Sequence, residues 1–350
     1  MMPHSLGSAF DWQNGCVEMR HGSGGRASAQ LIEELFIPAF NNAWLGQGND
    51  GTVLPPPAPG HRLVMTTDAH VVSPLFFPGG DIGCLAVHGT VNDVVMMGAQ
   101  PLWLSAGFIL EEGLLLNELR DIVHSMSQAA RSAGVAIVCG DTKVVERGKG
   151  DGLYIAMTGV GQLAESTSAP AGDRAQPGDA ILISGTLGDH GIAILTQREG
   201  LQFDTPIQSD TAALNGLVAE LQTAGIDLHV LRDPTRGGLA TTLNEIARQS
   251  GVGILLDEAS IPIQPAVAAA CEFMGLDPLY IANEGKMVVI CAPEHAATAL
   301  RIMQSHPLGK QAAIIGRVID DRHRFIQLQT RMGGQRLVDW LNGDPLPRIC

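Results

Sequence analysis

Short apolar runs alternate along this chain with longer stretches whose apolar positions recur at helical spacing, which predicts strands interleaved with helices. A helical pattern covers 27–40, directly after the glycine-rich loop His21-Gly22-Ser23-Gly24-Gly25-Arg26. A proline-rich loop over 41–60 leads into a buried strand, 62–68, that ends on Asp68. A second apolar piece, 71–77, closes at Pro78-Gly79-Gly80, and Asp81 stands where it can cap a helix over 82–98. A strand over 101–110, an amphipathic helix over 116–132, a buried strand over 135–143 carrying Asp141-Thr142-Lys143, and a strand over 152–163 complete this half.

The stretch 166–179, with Pro170, Gly172, Pro177 and Gly178, reads as a linker, so the chain divides into 1–165, 166–343 and a tail, 344–350. The second half predicts strands at 180–184, 253–256, 286–291, 313–319 and 325–329, with helices near 189–198, 212–224, 239–249 and 294–305. Alternating elements of this kind make an α/β fold in two domains. The prolines at 345 and 347 exclude helix from the tail and favour an extended strap. Seven residues reach roughly 20–25 Å, enough to carry the terminal Cys350 between sites. Arg348, two positions from that sulfur, is expected to favour its thiolate.

Composition narrows the function. A formal net charge of −14 argues against nucleic acid as partner, because phosphate backbones need a basic face. No apolar run reaches the ~20 residues that span a bilayer, and the N-terminus lacks a signal-peptide pattern. The 6 cysteines are scattered without a CxxC pair, as in a reduced cytoplasmic protein.

The chemistry sits in a few polar islands. Asn92-Asp93 interrupts an apolar helix, where a charge must be paired or metal-bound. The loop 21–26 and Asp233-Pro234-Thr235-Arg236-Gly237-Gly238 both place paired glycines and a cation at a helix start, a setting that can cradle phosphate. Neither is a Walker loop. Asn283-Glu284-Gly285-Lys286 is a charged turn before a buried strand. Carboxylates at 50, 68, 93, 141 and 233 are numerous enough to hold more than one Mg²⁺ around a triphosphate, since each ion takes one or two carboxylates plus phosphate oxygens.

Together these segments resemble the HypE family of hydrogenase maturation factors. The resemblance rests on Thr67-Asp68, Ser73-Pro74-Leu75-Phe76-Phe77-Pro78-Gly79-Gly80-Asp81, Gly89-Thr90-Val91-Asn92-Asp93, Gly140-Asp141-Thr142-Lys143, Gly188-Asp189-His190-Gly191, the 233–238 and 283–286 motifs, and Pro347-Arg348-Ile349-Cys350. It runs from about residue 20 to the end. Departures are Asn49-Asp50-Gly51 where the family has a paired acid, Arg26 where Lys is common, and a long proline-rich insertion at 55–59.

The resemblance implies a two-domain PurM-like fold, the one shared with aminoimidazole ribonucleotide synthetase, in a cytoplasmic homodimer joined through its N-terminal domains. It implies ATP-dependent dehydration of a carbamoyl group, loaded onto Cys350 by the carbamoyltransferase HypF, to a thiocyanate. The cyanide then passes to iron on a HypC–HypD scaffold. Carried onto this chain, it makes Cys350 the tethered carrier, Glu284 the base and Lys143 a catalytic cation. Nucleotide contacts fall on His21, Gly22, Ser23, Gly24, Gly25, Arg26, Asn92, Asp93, Asp141, Thr142, Lys143 and Arg236; Mg²⁺ ligands on Asp50, Asp68, Asp93, Asp141 and Asp233. The competing readings are a kinase or synthetase of the same fold acting on a free small molecule, and a non-catalytic ATP-binding scaffold.

Overall fold

The computed structural model describes residues 10–47, 51–201, 206–341, 343 and 348–350. In chain order its elements are α1 (Arg26–Leu31), α2 (Ile37–Phe40), β1 (His61–His70), β2 (Phe76–Phe77), β3 (Gly80–Asp81), α3 (Ile82–Met96), β4 (Gln100–Glu111), α4 (Leu116–Ala133), β5 (Ala136–Val145) and β6 (Leu153–Ala164). After the linker come β7 (Ala180–Ile183), α5 (Asp189–Glu199), α6 (Asn215–Thr223), β8 (Leu228–Arg232), α7 (Gly238–Ser250), β9 (Gly253–Asp257), α8 (Pro265–Met274), β10 (Val288–Cys291), α9 (Pro293–Ser305), β11 (Ala313–Ile319), β12 (Ile326–Gln329) and β13 (Gln335–Leu337).

The first half is a four-stranded sheet in the order β1-β6-β4-β5, parallel only between β4 and β5, with α3 and α4 on one face. Asp81 caps α3 as its position predicts, accepting the Gly83 and Cys84 N–H groups through Oδ1 at 2.7 and 3.1 Å. The second half is a seven-stranded sheet, β13-β12-β9-β11-β7-β10-β8, parallel only between β12 and β9. Its central β7 and β10 are buried along their whole length, with Leu182 facing one apolar cluster and Ile181 and Ile183 the other. The larger cluster is continuous across both halves, running from Ile82 and Leu85 on α3 to Leu214, Leu217 and Ile349.

Three readings change. β1, expected to be buried, buries one face only: Thr66, Asp68 and His70 face α3, while Leu63 (58% exposed) and Met65 (72%) face outward. Of the apolar piece 71–77 only Phe76 and Phe77 form a strand, because the rest wraps the tail. Strands β8 and β13 and helix α8 were not foreseen; α8 is nearly all small apolar residues, and so has no polar face to mark its period.

Candidate active site

The tail ends inside the molecule. Ile349 forms an antiparallel bridge with Val72, the Ser73 N–H donates to the Arg348 carbonyl at 3.2 Å, and the Ile349 side chain is only 3% exposed. Cys350 therefore lies in a cavity of about 250 Å³, lined from both halves by Asp68, His70, Asp93, Asp233, Arg236 and Glu284, with Thr67, Ala69, Gly89 and Thr235 filling the wall. Residues 344–347 lie outside the described residues, so the path of the strap is described only at its docked end.

Local folding explains how these groups meet. Asp68 and His70 are two apart on β1 and share its inner face, with His70 Nε2 3.2 Å from Asp68 Oδ2. Gly89 makes room for them, since a Cβ there would stand 2.9 Å from His70 Nε2. Asp93 follows one turn later on α3 and accepts the Thr66 hydroxyl at 2.8 Å. The 233–238 loop brings Asp233 and Arg236 by turning tightly against 279–281. Gly238, at φ +60°, would place a Cβ 2.6 Å from the Leu279 and Ile281 carbonyls, so only glycine fits.

The charged turn 283–286 is buried. Asn283 accepts the Gly188 N–H and donates to the Pro234 and Ile281 carbonyls, all within 3.0 Å. Glu284 is 3% exposed; its N–H donates to Asp210 Oδ1 at 3.1 Å, while its Oε1 has no protein partner. Asp210 in turn pairs with the half-buried Lys286 at 3.2 Å. A buried carboxylate oxygen left without a partner, aimed into a cavity, marks a place where a ligand completes the hydrogen bonding.

The electrostatics follow from burial. Burial, and then the nearby Asp93 carboxylate, raise Asp233 to about 7. Burial, followed by the charges of Asp233, Asp210 and Asp68, holds Glu284 well above the ordinary carboxylate range. Asp93 is raised mainly by burial, opposed by its Thr66 hydrogen bond. Burial pushes Asp68 up as well, but the His70 contact and the Ala69 N–H together outweigh it, and the net shift is downward. Four carboxyl groups facing Arg236 make a site short of positive charge. Among the described residues no three His, Cys, Asp or Glu side chains converge tightly enough to hold a metal unaided. That suits Mg²⁺, which keeps water and phosphate oxygens among its ligands.

The thiol corrects an expectation. Arg348 does not lower its pKa: the guanidinium turns away to Asp151 at 3.0 Å, and burial together with Glu284 pushes the Cys350 thiol well above its free value. Asn92 also changes role. Its amide donates to the Ala212 and Glu284 carbonyls at 3.0 and 3.2 Å and accepts the Leu214 N–H at 2.8 Å. With both amide hydrogens committed, Asn92 ties α3 to the second half and has none for a nucleotide.

The remaining predicted residues lie elsewhere. Across the sheet, Asp68, Met157, Ala106 and Gly140 form one row, and Ala69, Ala156, Gly107 and Asp141 the next. Adjacent rows face opposite sides, so Asp141 points away from Asp68, three strand spacings or roughly 14 Å across. Lys143, two residues on, shares that outer face and pairs with Asp141 at 3.1 Å; both are largely exposed. Thr142 alternates to the inner face, at the rim of an apolar cleft with Phe36 and Phe108. His21, Ser23, Gly25 and Arg26 line a separate open cavity of about 540 Å³, whose His21 Nε2 is buried without a partner; Gly22 presses on Val144 of β5, and Gly24 is unobstructed. Asp50 lies outside the described residues.

Sequence reasoning did not single out His70 or Asp210, and it named Lys286 in its motif without a role. His70 was legible, since two residues beyond Asp68 on a strand means the same face; Asp210 was not, because nothing local distinguishes it.

Residues 48–163 match the family model for the N-terminal domain of AIR synthase related proteins, and 176–329 that for the C-terminal domain. The chain is 62% identical over 338 residues to the carbamoyl dehydratase HypE of Cupriavidus necator, covering 97% of this chain and 96% of the relative. Among solved structures it resembles the hydrogenase maturation protein HypE in complex with ATP, with a TM-score of 0.91 and 52% identity over 95% of this chain and 99% of that one. It also resembles a chain of a HypE–HypF complex, with a TM-score of 0.77 and 51% identity over 89% of this chain and 99% of the other.

Proposed function

The chain belongs to the HypE family of carbamoyl dehydratases, and from that premise we propose that it uses ATP to dehydrate a carbamoyl group carried on its own Cys350. The observation that carries this reading is the terminal thiol seated in a carboxylate-lined cavity and in contact with the Glu284 side chain. The net change is loss of water from the carboxamide coupled to ATP cleavage to ADP and phosphate, leaving S–C≡N.

The amide oxygen is a poor leaving group. Its attack on the γ-phosphorus, with departure of ADP, converts it to a phosphate ester; the C–O bond then breaks toward phosphate as the nitrogen gives up its protons. Glu284 is placed to take such a proton, and its elevated pKa makes it a stronger base than an exposed carboxylate. Arg236, on the same wall, faces the charge that develops on phosphate. Asp68, Asp93 and Asp233 are the residues here that would hold Mg²⁺, whose contribution when bound is to neutralise phosphate charge.

The second set, His21 to Arg26 with Asp141, Thr142 and Lys143, belongs in this reading to nucleotide handling across a homodimer. The outward side chains of Leu63, Met65 and Ile109 support such a dimer, because they are apolar and uncovered in the single chain. Asp50 is assigned to Mg²⁺ on its motif alone. The division into 1–165, a nucleotide-binding and dimerising half, 166–343, and the tail 344–350 follows the two sheets. HypF is assigned as the donor of the carbamoyl group on the strength of the HypE–HypF complex, and a HypC–HypD scaffold as the acceptor of cyanide for a [NiFe]-hydrogenase iron on the family resemblance alone.

The test is intact mass. The carbamoylated protein given MgATP loses one water from its last residue; if ATP is consumed and the carbamoyl mass persists, the reading fails.

A further inference from the structure

We propose that His190, fixed by Ser209, is the latch that docks the tail, gripping it by its backbone so that bare, carbamoylated and nitrile-bearing thiols are seated in one register. The inference deepens the carrier reading above and rests on it.

His190 lies at the start of α5, fully buried, with its ring edge-on to Phe77 at 5.5 Å between centroids. Its Nε2 stands 2.7 Å from the Ile349 carbonyl. A carbonyl only accepts, so Nε2 carries the hydrogen and donates. Nδ1 is then the acceptor, and it meets the Ser209 hydroxyl at 2.7 Å. Ser209 Oγ accepts the Thr211 N–H at 3.1 Å in turn. The chain of donors runs in one direction, from Thr211 through Ser209 and the imidazole to the tail, an arrangement in which each bond polarises the next. Burial lowers the pKa of the ring, which keeps it neutral and in this tautomer.

A second anchor lies one residue back. The Arg198 guanidinium donates to the Arg348 carbonyl at 2.8 Å and to the Ser73 carbonyl at 2.8 and 3.0 Å. Among the described residues, His190, Arg198 and the Ser73 N–H all grip main-chain carbonyls of Arg348 or Ile349, while the Arg348–Asp151 pair lies apart at the surface. The sulfur itself meets the Glu284 side chain, the group that the carrier reading makes its base. The main-chain grips are therefore blind to what the sulfur carries, as a carrier that must be held both before and after reaction requires. Geometry links the latch to the base. Ser209 is followed by Asp210, which holds the Glu284 backbone and pairs with Lys286. One short segment sets both the Ile349 carbonyl and Glu284, and with them the approach of the cargo to its base.

The experiment uses the full-length, nucleotide-free protein and iodoacetamide, with alkylation of Cys350 followed by mass of the C-terminal peptide. Only the undocked tail reacts readily, so the rate reports the undocked fraction. His190→Ala is expected to raise that rate roughly tenfold, the effect of deleting one buried hydrogen bond. His190→Gln, whose amide reaches the same carbonyl, restores most of the protection. Ser209→Ala, which leaves the ring but frees its tautomer, gives a smaller rise and covers the case in which His190→Ala does not fold. With the carbamoylated protein, single-turnover dehydration by His190→Ala slows by a similar factor while nucleotide affinity is unchanged. Alkylation or dehydration of His190→Ala at the wild-type rate overturns the latch, as does a Gln variant no better protected than Ala. If wild type itself does not dehydrate, the carrier reading has failed, and the alkylation series still decides whether the latch exists.

Discussion

Two groups of charged residues, on opposite sides of the four-stranded sheet, have opposite environments. Asp68, Asp93, Asp233 and Glu284 converge on the inner side, where both halves of the chain enclose them around Cys350. Asp141 and Lys143 lie on the outer side, largely exposed, next to a row of uncovered apolar side chains. The inner group is finished within one chain, and its pKa values are displaced by burial. The outer group is largely exposed, beside apolar side chains that the single chain leaves uncovered and that the proposed dimer would bury. In the function proposed above, the enclosed group meets the cargo and the γ-phosphoryl where water is excluded, and the exposed group meets the remainder of the nucleotide.

The sharpest way to break this comparison is at the carrier. Cys350→Ala abolishes nitrile formation completely while nucleotide binding persists, because no phosphate-handling residue is touched; any nitrile detected by mass would sever the inner site from the chemistry. Glu284→Gln comes next, with single-turnover dehydration expected to fall by ~10²–10⁴-fold. A base acts deprotonated, so the wild-type rate rises with pH through the elevated Glu284 pKa, and the residual Gln activity lacks that limb. A pH–rate profile unchanged in shape in the Gln variant would move the role elsewhere.

Asp233 tests the electrostatics without catalysis. Its folded pKa is raised to about 7, so the native state holds this proton more tightly than the unfolded chain does. Its stabilising contribution is fully present below the unfolded value near 4 and is lost as pH rises through about 7, a change on the order of 4 kcal/mol. Denaturant unfolding of nucleotide-free, Mg²⁺-free protein should show this decline, and Asp233→Asn should flatten it. Added MgATP should flatten it as well, by placing positive charge beside the carboxylate. A wild-type profile flat between those limits would mean that the cluster is already neutralised.

These outcomes also mark where sequence reading succeeded. Alternating apolar runs located the strands of the first sheet because one buried face imposes a period, and Asp81 announced its helix through capping chemistry. The site motifs were visible as polar islands in apolar surroundings, and Glu284 could be named from its turn. Its burial could not, because that depends on Asn283, Asp210 and the 233–238 loop, which only tertiary folding brings together. Asn92 shows the same limit: a buried amide serving three backbone groups and one contacting a nucleotide look alike in sequence. Arg348 misled because nearness along the chain is not nearness in space; its positive φ and its pairing with Asp151 carry the charge away from the thiol.

The outer group offers the smallest expected effect and the finest discrimination. Met65 and Leu63 alternate on the exposed side of the edge strand β1, and Thr67 and Ala69 continue the same row. Met65→Lys puts a charge where an apolar partner is expected, so wild type should sediment as a dimer and the variant as a monomer. If Asp141, Lys143 and the 21–26 loop handle nucleotide only when a second copy closes the site, ATP affinity falls by about tenfold or more in the variant. The inner site should not notice, because the Cys350 cavity is built from one chain, and its iodoacetamide reactivity stays at the wild-type value. A monomeric variant that binds ATP as tightly as wild type would put the nucleotide site within a single chain and erase the contrast between the two faces of the sheet.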